Sequence, residues 1–388
     1  MSVQSPSVRQ MLAELIAAPS VSSVNPAFDM SNRPVIDLLA GWLEDLGFAV
    51  EIQPVDGPQG KANLIARLGD PAGADGLVLA GHTDTVPYDE GGWRSDPFEL
   101  TEDDGRLYGL GTADMKGFFA CAIAAAREFS ADQLTRPVTL LATADEESSM
   151  SGARALVKAG TRLGRYAVIG EPTGLRPVNR NKGILMESIR VHGHSGHSSD
   201  PALGASALEG MHEVIAEVME LRTEMQEKIT NPAFRVPVPT LNLGRIEGGD
   251  NPNRICAECE LQIDLRLLPG MDPDVWRDRL RTRVSQRIDG SGLTVSFEEL
   301  FGGVAAMEKD AQSPIVQAVV EFSGQQPVSV AFGTEGPFLT TLGAETVVFG
   351  PGDVEQAHQP DEYILIDRIE PTIDILRRLI QRFCVAAD

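Results

Sequence analysis

Cysteine is scarce, with four in 388 residues. That count builds no disulfide framework, so a reducing cytoplasm is the expected setting. Long apolar runs are missing too. The longest, around "GFFACAIAAA", is about half of the roughly 20 residues that a membrane-spanning helix needs. The first residues, "MSVQSPSVRQMLAELIAAPS", lack the basic start and long apolar core of a secretion signal; their apolar residues recur at helical spacing and read as a first helix. Positive charge is in deficit. Lys and Arg number 33 against 56 Asp and Glu, a formal charge of -23 that would repel nucleic-acid phosphates and anionic membranes. Neither nucleic acid nor a membrane is an expected partner. No internal repeat or low-complexity tract is present. No GxSxG elbow accompanies "GHSSDP", which argues against a serine hydrolase. The segment "GLGTADMKG" lacks a full dinucleotide fingerprint, because Asp114 stands where its third glycine should be.

What remains is the composition of a soluble globular protein, 42% hydrophobic and 23% charged, long enough for two packed domains. Through the first part, apolar runs stop at loops and lead into helical patterns: "GLVLA" at 76–80, "VTLLATA" at 138–144 and "YAVIG" at 166–170. This alternation predicts an α/β domain whose central mixed sheet is flanked by helices. A fourth such run, "ETVVFG" at 345–350, returns only near the carboxyl end. Between them the order becomes βαββαβ, the pattern of an inserted ferredoxin-like domain, with Asp272 and Pro273 opening its second helix. The expected boundaries are 1–180 and 300–388 for the first domain and 181–299 for the insert. Cys256 and Cys259 fall in "RICAECELQIDLRL", whose strand-like alternation would turn them to opposite faces, so both read as structural.

His82, in "VLAGHTDTVP", would be weak evidence alone, since a single histidine after an apolar run is more often a satisfied structural residue. Other polar groups at the ends of the other runs change that reading. Asp114 precedes the helical "MKGFFACAIAAAREF", Glu146 and Glu147 follow "VTLLATA", Glu171 follows "YAVIG", and His358 lies in the loop after "TVVFG". Each sits just beyond a strand's carboxyl end or at a helix entry, where open α/β sheets gather ligands. Imidazole and carboxylate donors suit divalent ions, zinc in particular, and one carboxylate can bridge two ions held roughly 3.5–4 Å apart. The expectation is two divalent cations, zinc in the first place with cobalt as a substitute, bridged by Asp114. His82 and Glu171 would hold one, Glu147 and His358 the other. Asp84 faces the same side as His82 in an extended segment and would accept the imidazole's second N–H, fixing its tautomer. Neighbouring carboxylates diverge and repel. Glu147 is therefore assigned to the metal and Glu146 to the proton, which it would take from the attacking water and pass to the leaving nitrogen. His192, His194 and His212 carry no evident role, and His197 opens a turn before a helix.

Taken in order, "GHTDTVP", "LYGLGTADMKGFFA", "ATADEESSMSGAR", "IGEPTGLRPV", "HSGHSSDP", "NRIC", "GTEGPF" and "GPGDVEQAHQPDEY" resemble the dinuclear zinc aminoacylase and carboxypeptidase family, from about residue 10 to the carboxyl end. The resemblance implies the same cation ligands, with Glu146 as acid and base and Asp84 as the orienting carboxylate. It implies that the insert is a lid and a homodimerisation domain. It further implies that His197 crosses a dimer interface to stabilise a tetrahedral oxyanion, and that Asn253 and Arg266 grip the substrate's α-carboxylate. Read from the residues alone, Arg266 serves equally well in a strand-surface ion pair. Glu335 is expected to receive the cationic end of an ornithine-like side chain, the plainer alternative being a loop-stabilising carboxylate. The implied activity is release of acetate from a small N-acyl amino acid, N-acetyl-L-ornithine, for arginine synthesis. Rival substrates are succinyl-diaminopimelate, acetylcitrulline or a dipeptide; a non-catalytic binding protein that kept the fold is the rival from another class.

Overall fold

A strand covered on both faces needs a near-continuous apolar run, and the runs named above form such strands. Leu77–His82, Val138–Thr143 and Tyr166–Ile169 are buried at every residue. In the computed structural model, which describes residues 6–57, 59–89 and 91–385, Leu77–His82 lies parallel between the other two. Glu345–Val348, the latest of the four in the chain, adds in parallel beside Tyr166–Ile169. Ala62–Leu68 and Ala49–Pro54 extend the opposite edge in antiparallel fashion, so the sheet is mixed. Register puts His82 opposite Thr143, and Ile169 opposite both Ala80 and Val348. The four parallel strands therefore stop at a common carboxyl edge.

The helix Lys116–Ala126 is buried along its whole length, which explains why it is apolar on every side apart from Lys116. Val8–Ile16 and Ile369–Cys384 bury single apolar stripes in the same core. The first helix starts where its sequence says it should, with Ser7 accepting the Gln10 N–H in a capping box. Among the described residues, no helix is long and apolar enough to cross a membrane.

The chain divides into two compact units. The first runs through Asn179 and includes Lys309–Val328 and the chain from Thr334 onward; the second is Arg180–Glu308 with Ser329–Gly333. Within the second unit an antiparallel sheet has the order Thr240–Gly248, Glu258–Leu267, Gly183–His192, Thr294–Val304. The helices Ala207–Lys228 and Pro273–Ile288 complete a ferredoxin-like βαββαβ unit. Asp272 caps the second helix through the N–H groups of Asp274 and Val275. Its last strand continues through register shifts to Val304, past residue 299. The cysteine geometry differs from the alternation argument. The strand begins at Glu258, so its period does not govern Cys256, whose thiol donates to the Glu258 carbonyl at 3.0 Å. Both thiols are buried and free.

Candidate metal centre

The carboxyl edge of the first unit's sheet delivers its polar groups one strand at a time. His82 is the last residue of its strand, Glu146 and Glu147 follow Val138–Thr143, and Glu171 follows Tyr166–Ile169. His358 arrives on the loop beyond Glu345–Val348. Asp114 stands just before the buried helix Lys116–Ala126 and is itself buried. Its two oxygens face different imidazoles. Oδ1 lies 3.1 Å from His82 Nε2, and Oδ2 lies 3.4 Å from His358 Nε2. Each imidazole has a second carboxylate: Glu171 Oε2 is 3.9 Å from His82 Nε2, and Glu147 Oε1 is 3.0 Å from His358 Nε2. His82, Asp114 and Glu147 offer ligand atoms within 4.8 Å of one another. The five side chains thus converge in two sets that share the Asp114 carboxylate.

So much like charge in a buried place moves the protons of several of these groups. Burial pushes Glu146 and Glu171 well above the ordinary carboxylate range, reinforced for Glu146 by the charge of Glu171 and for Glu171 by that of Asp114. Burial also lifts Asp84 to about 6 and Glu335 to about 7. The imidazoles move the same way for another reason. Burial opposes a charge on His82, but its hydrogen bond to Asp114 and the charges of Asp84 and Glu171 outweigh that and raise it well above its usual value. Hydrogen bonds to Asp114 and Glu147 carry His358 to about 10. Burial would raise Asp114, yet the hydrogen bonds from His358 and His82 hold it below the usual range. Glu171 Oε1 is a buried oxygen with no hydrogen-bond partner. Hard and borderline donors, crowded negative charge and an orphaned carboxylate oxygen all fit a pair of divalent cations.

Asp84 works differently from the expectation. His82 Nδ1 is 3.1 Å from the Asp84 backbone carbonyl and 3.6 Å from its Oδ1. The carboxylate instead accepts the backbone N–H groups of Glu146 and Glu147, at 3.2 and 3.0 Å. Asp84 thus meets the imidazole most closely with its carbonyl and ties down the Glu146–Glu147 turn with its side chain. Asp145 enters that turn with φ of +60°, a left-handed conformation costly for a residue bearing a Cβ. Lys61, Ser22 Oγ at 2.8 Å and Ser151 Oγ at 2.7 Å hold its carboxylate in place. Gly350 serves close approach: a Cβ there would lie 2.3 Å from the Gly170 carbonyl and 2.4 Å from that of Glu171. The Glu171 and His358 loops meet at that point.

Lys116 and Glu362 are among the buried charged groups that a reading of the sequence misses. Lys116 donates to the carbonyls of Leu15 and Ala18 at 3.1 and 2.9 Å, and burial draws it down to about 7. A lone lysine heading an otherwise apolar helix was the available signal. Glu362 accepts the N–H groups of Ala113 and Asp114, and burial lifts it to about 8. Nothing in "HQPDEY" separates it from a solvated acid.

Glu335, in the first unit, is buried, accepts from Thr143 Oγ1 at 2.8 Å through Oε2, and leaves Oε1 without a partner. His197, Asn253 and Arg266 belong to the second unit. There His197 is exposed, with Nδ1 2.7 Å from Ser199 Oγ, and the Asn253 carbonyl accepts the N–H of neighbouring Ser198 at 3.1 Å. Arg266 is half-buried and donates to Asp264 Oδ2 at 3.0 Å.

The family model described as peptidase family M20/M25/M40 matches residues 78–382. A protein of Pasteurella multocida (strain Pm70) named acetylornithine deacetylase is 46% identical, covering 98% of each chain. One of the same name from Edwardsiella ictaluri (strain 93-146) is 48% identical over 99% of this chain and all of its own. Among solved structures, the M20 family metallo-carboxypeptidase Sso-CP2 from Sulfolobus solfataricus aligns with a TM-score of 0.76 at 18% identity, covering 97% of this chain and 99% of that one. The Bacillus subtilis YXEP protein, described as a dinuclear metal-binding peptidase from the M20 family, aligns with a TM-score of 0.65 at 15% identity, covering 96% and 97%.

Proposed function

The chain belongs to peptidase family M20/M25/M40, and from that premise we propose a metal-dependent amidohydrolase that removes the acetyl group from N-acetyl-L-ornithine, giving L-ornithine and acetate. The observation that carries the chemistry is the Asp114 carboxylate, with one oxygen toward His82 and the other toward His358. The observation that carries the substrate is identity of 46–48% along nearly the whole chain to curated acetylornithine deacetylases. Asp114, His82 and Glu171 would hold one cation, and Asp114, Glu147 and His358 the other, with zinc the natural occupant and cobalt a working substitute. Bound there, such ions polarise an amide carbonyl and make water acidic enough to ionise near neutral pH.

The protein's own residues supply the rest. Glu146, at the carboxyl edge with its backbone pinned by Asp84, takes the proton from the attacking water and delivers it to the departing amine. Asn253 and Arg266 receive the α-carboxylate, and His197, reaching in from a partner subunit of a homodimer formed through the second unit, donates to the developing oxyanion. The setting is the cytoplasm and the role arginine synthesis. Acetate release by chelator-stripped protein is expected to rise at least about 100-fold when zinc or cobalt is restored, the gain a bound Lewis acid supplies. A panel of N-acetylornithine, acetylcitrulline, succinyl-diaminopimelate and a dipeptide identifies the substrate. Preference for any of the last three would overturn the assignment.

Glu335 extends the proposal to the side chain. Its unpartnered Oε1 suits a cation, so it would receive the δ-ammonium of the substrate. Glu335→Gln is expected to lower kcat/KM for N-acetylornithine by roughly 10- to 100-fold, as loss of one charge-assisted hydrogen bond predicts. Activity on an N-acetyl amino acid with a neutral, unbranched side chain should change little. If the variant and its parent discriminate equally between the two, Glu335 is only a prop for its loop.

A further inference from the structure

Glu362 takes no part in the reaction proposed above, yet it is 1% exposed and lies against the centre of the site. Its Oε1 accepts two backbone N–H groups, from Ala113 at 2.8 Å and from Asp114 at 3.0 Å. Its own carbonyl accepts the N–H of Gly109 at 3.0 Å. Next to it, Tyr363–Leu365 pairs with Arg106–Tyr108, Tyr363 standing opposite Tyr108. Ten residues earlier the same loop approaches the same segment again, for a Cβ on Gly352 would lie 2.4 Å from the Ala113 carbonyl. The loop that carries His358 is thus docked along the segment that carries Asp114, and Glu362 is the polar link between them.

A buried carboxyl oxygen is costly unless N–H groups satisfy it, and here two do so. One of them belongs to the residue whose two oxygens are divided between two imidazoles. Fixing that N–H fixes the Cα from which the Asp114 carboxylate is projected, and ties it to the loop of its second imidazole, 3.4 Å away at His358. We propose that Glu362 is a positioning residue that sets the Asp114 carboxylate between His82 and His358, and that the cation set formed by Asp114, Glu147 and His358 is the first to weaken when its reach is lost. This rests on the two-cation reading of the site.

Two conservative variants separate reach from charge. Glu362→Gln keeps an acceptor oxygen at the same distance and can no longer ionise; Glu362→Asp keeps the carboxyl group and withdraws its oxygen by one methylene. Cobalt is titrated into each stripped, full-length protein and followed by its visible absorption. The parent is expected to take up two equivalents; if it does not, the two-cation reading fails and Glu362 is not at issue. With two in the parent, Glu362→Asp is expected to weaken the second equivalent by at least about tenfold, the scale on which supports of metal ligands act, while Glu362→Gln stays within about threefold. The reverse ranking would make the role one of charge and overturn the proposal. Unchanged uptake in both variants, whatever happens to their melting temperatures, would reduce Glu362 to a structural residue and overturn it too. If Glu362→Asp does not fold, Glu362→Ala, which also withdraws the oxygen, takes its place: a second equivalent weakened at least about tenfold beside a retained one in Glu362→Gln supports positioning, and unchanged uptake refutes it.

Discussion

Replacing Glu146 by glutamine is expected to cut turnover of N-acetylornithine by roughly 10²–10⁴-fold, the span a positioned proton-transfer group supplies, while leaving metal uptake and KM near those of the parent. The change is isosteric, so the Asp84 carboxylate still accepts the backbone N–H of residue 146 and the turn keeps its shape. What disappears is the capacity to take a proton from water and return it to the leaving nitrogen. Glu147→Gln makes the instructive contrast. Glu147 Oε1 is 3.0 Å from His358 Nε2, so that variant should lose affinity for cobalt along with its turnover. The pH profile gives a second check. Glu146 must be ionised to act as a base, and burial together with the charge of Glu171 works against ionisation. The rate should accordingly fall on the acid side in the parent and lose that limb in Glu146→Gln. Turnover above about a tenth of the parent's would remove Glu146 from the chemistry, because so small a loss is less than any general base contributes.

The contrast between adjacent glutamates shows how far the sequence could be read. His82, Glu146, Glu147 and Glu171 each follow an apolar run, so a strand pattern sufficed to put them at one edge. The inserted unit was legible for the same reason: period-two strands and capped helices are local signals, and Asp272 does cap its helix through Asp274 and Val275. Long-range pairing carries no local mark. That Glu345–Val348 lies beside Tyr166–Ile169 follows from burying two apolar strands together, and many pairings would satisfy that pattern. The same limit explains Asp84. Alternation placed it on the side of His82, and its carbonyl does serve the imidazole, but its carboxylate is claimed by two N–H groups that lie 62 and 63 residues further along the chain. Cys256 marks a related failure, where alternation was extended past the real start of a strand at Glu258. Glu362 and Lys61 are buried only because distant backbone and carboxylate partners satisfy them, and no period announces such partners.

Metal uptake should depend steeply on pH, with apparent affinity rising about 100-fold per unit between pH 6 and 7 if two protons leave for each pair of ions bound. The stripped site is held together by protons. Imidazoles raised well above 6.5, one of them to about 10, stay charged between carboxylates near neutrality. Carboxyls raised by burial, Glu335 to about 7 and Glu146 and Glu171 well above their usual range, keep protons that the unfolded chain would have shed near 4.5. The sign is the same for both kinds of group. The folded metal-free state binds more protons than the unfolded state, so its stability falls as pH rises. The carboxyl contribution is lost from about 4.5 up to about 7 for Glu335. The imidazole contribution is full below 6.5 and lost toward about 10 for His358. Asp114, held below its usual range, adds stability that is constant across this window. Cations take over the work of those protons, so melting temperature should decline from pH 5 to 8 in stripped protein and stay nearly flat in zinc-loaded protein. Competition titrations in buffers at pH 6 and 7, with proton release followed calorimetrically, measure the other half of the linkage. Equal affinity at the two pH values would mean that uptake displaces no proton, and the crowded imidazoles and carboxylates around Asp114 would then not be the ligands.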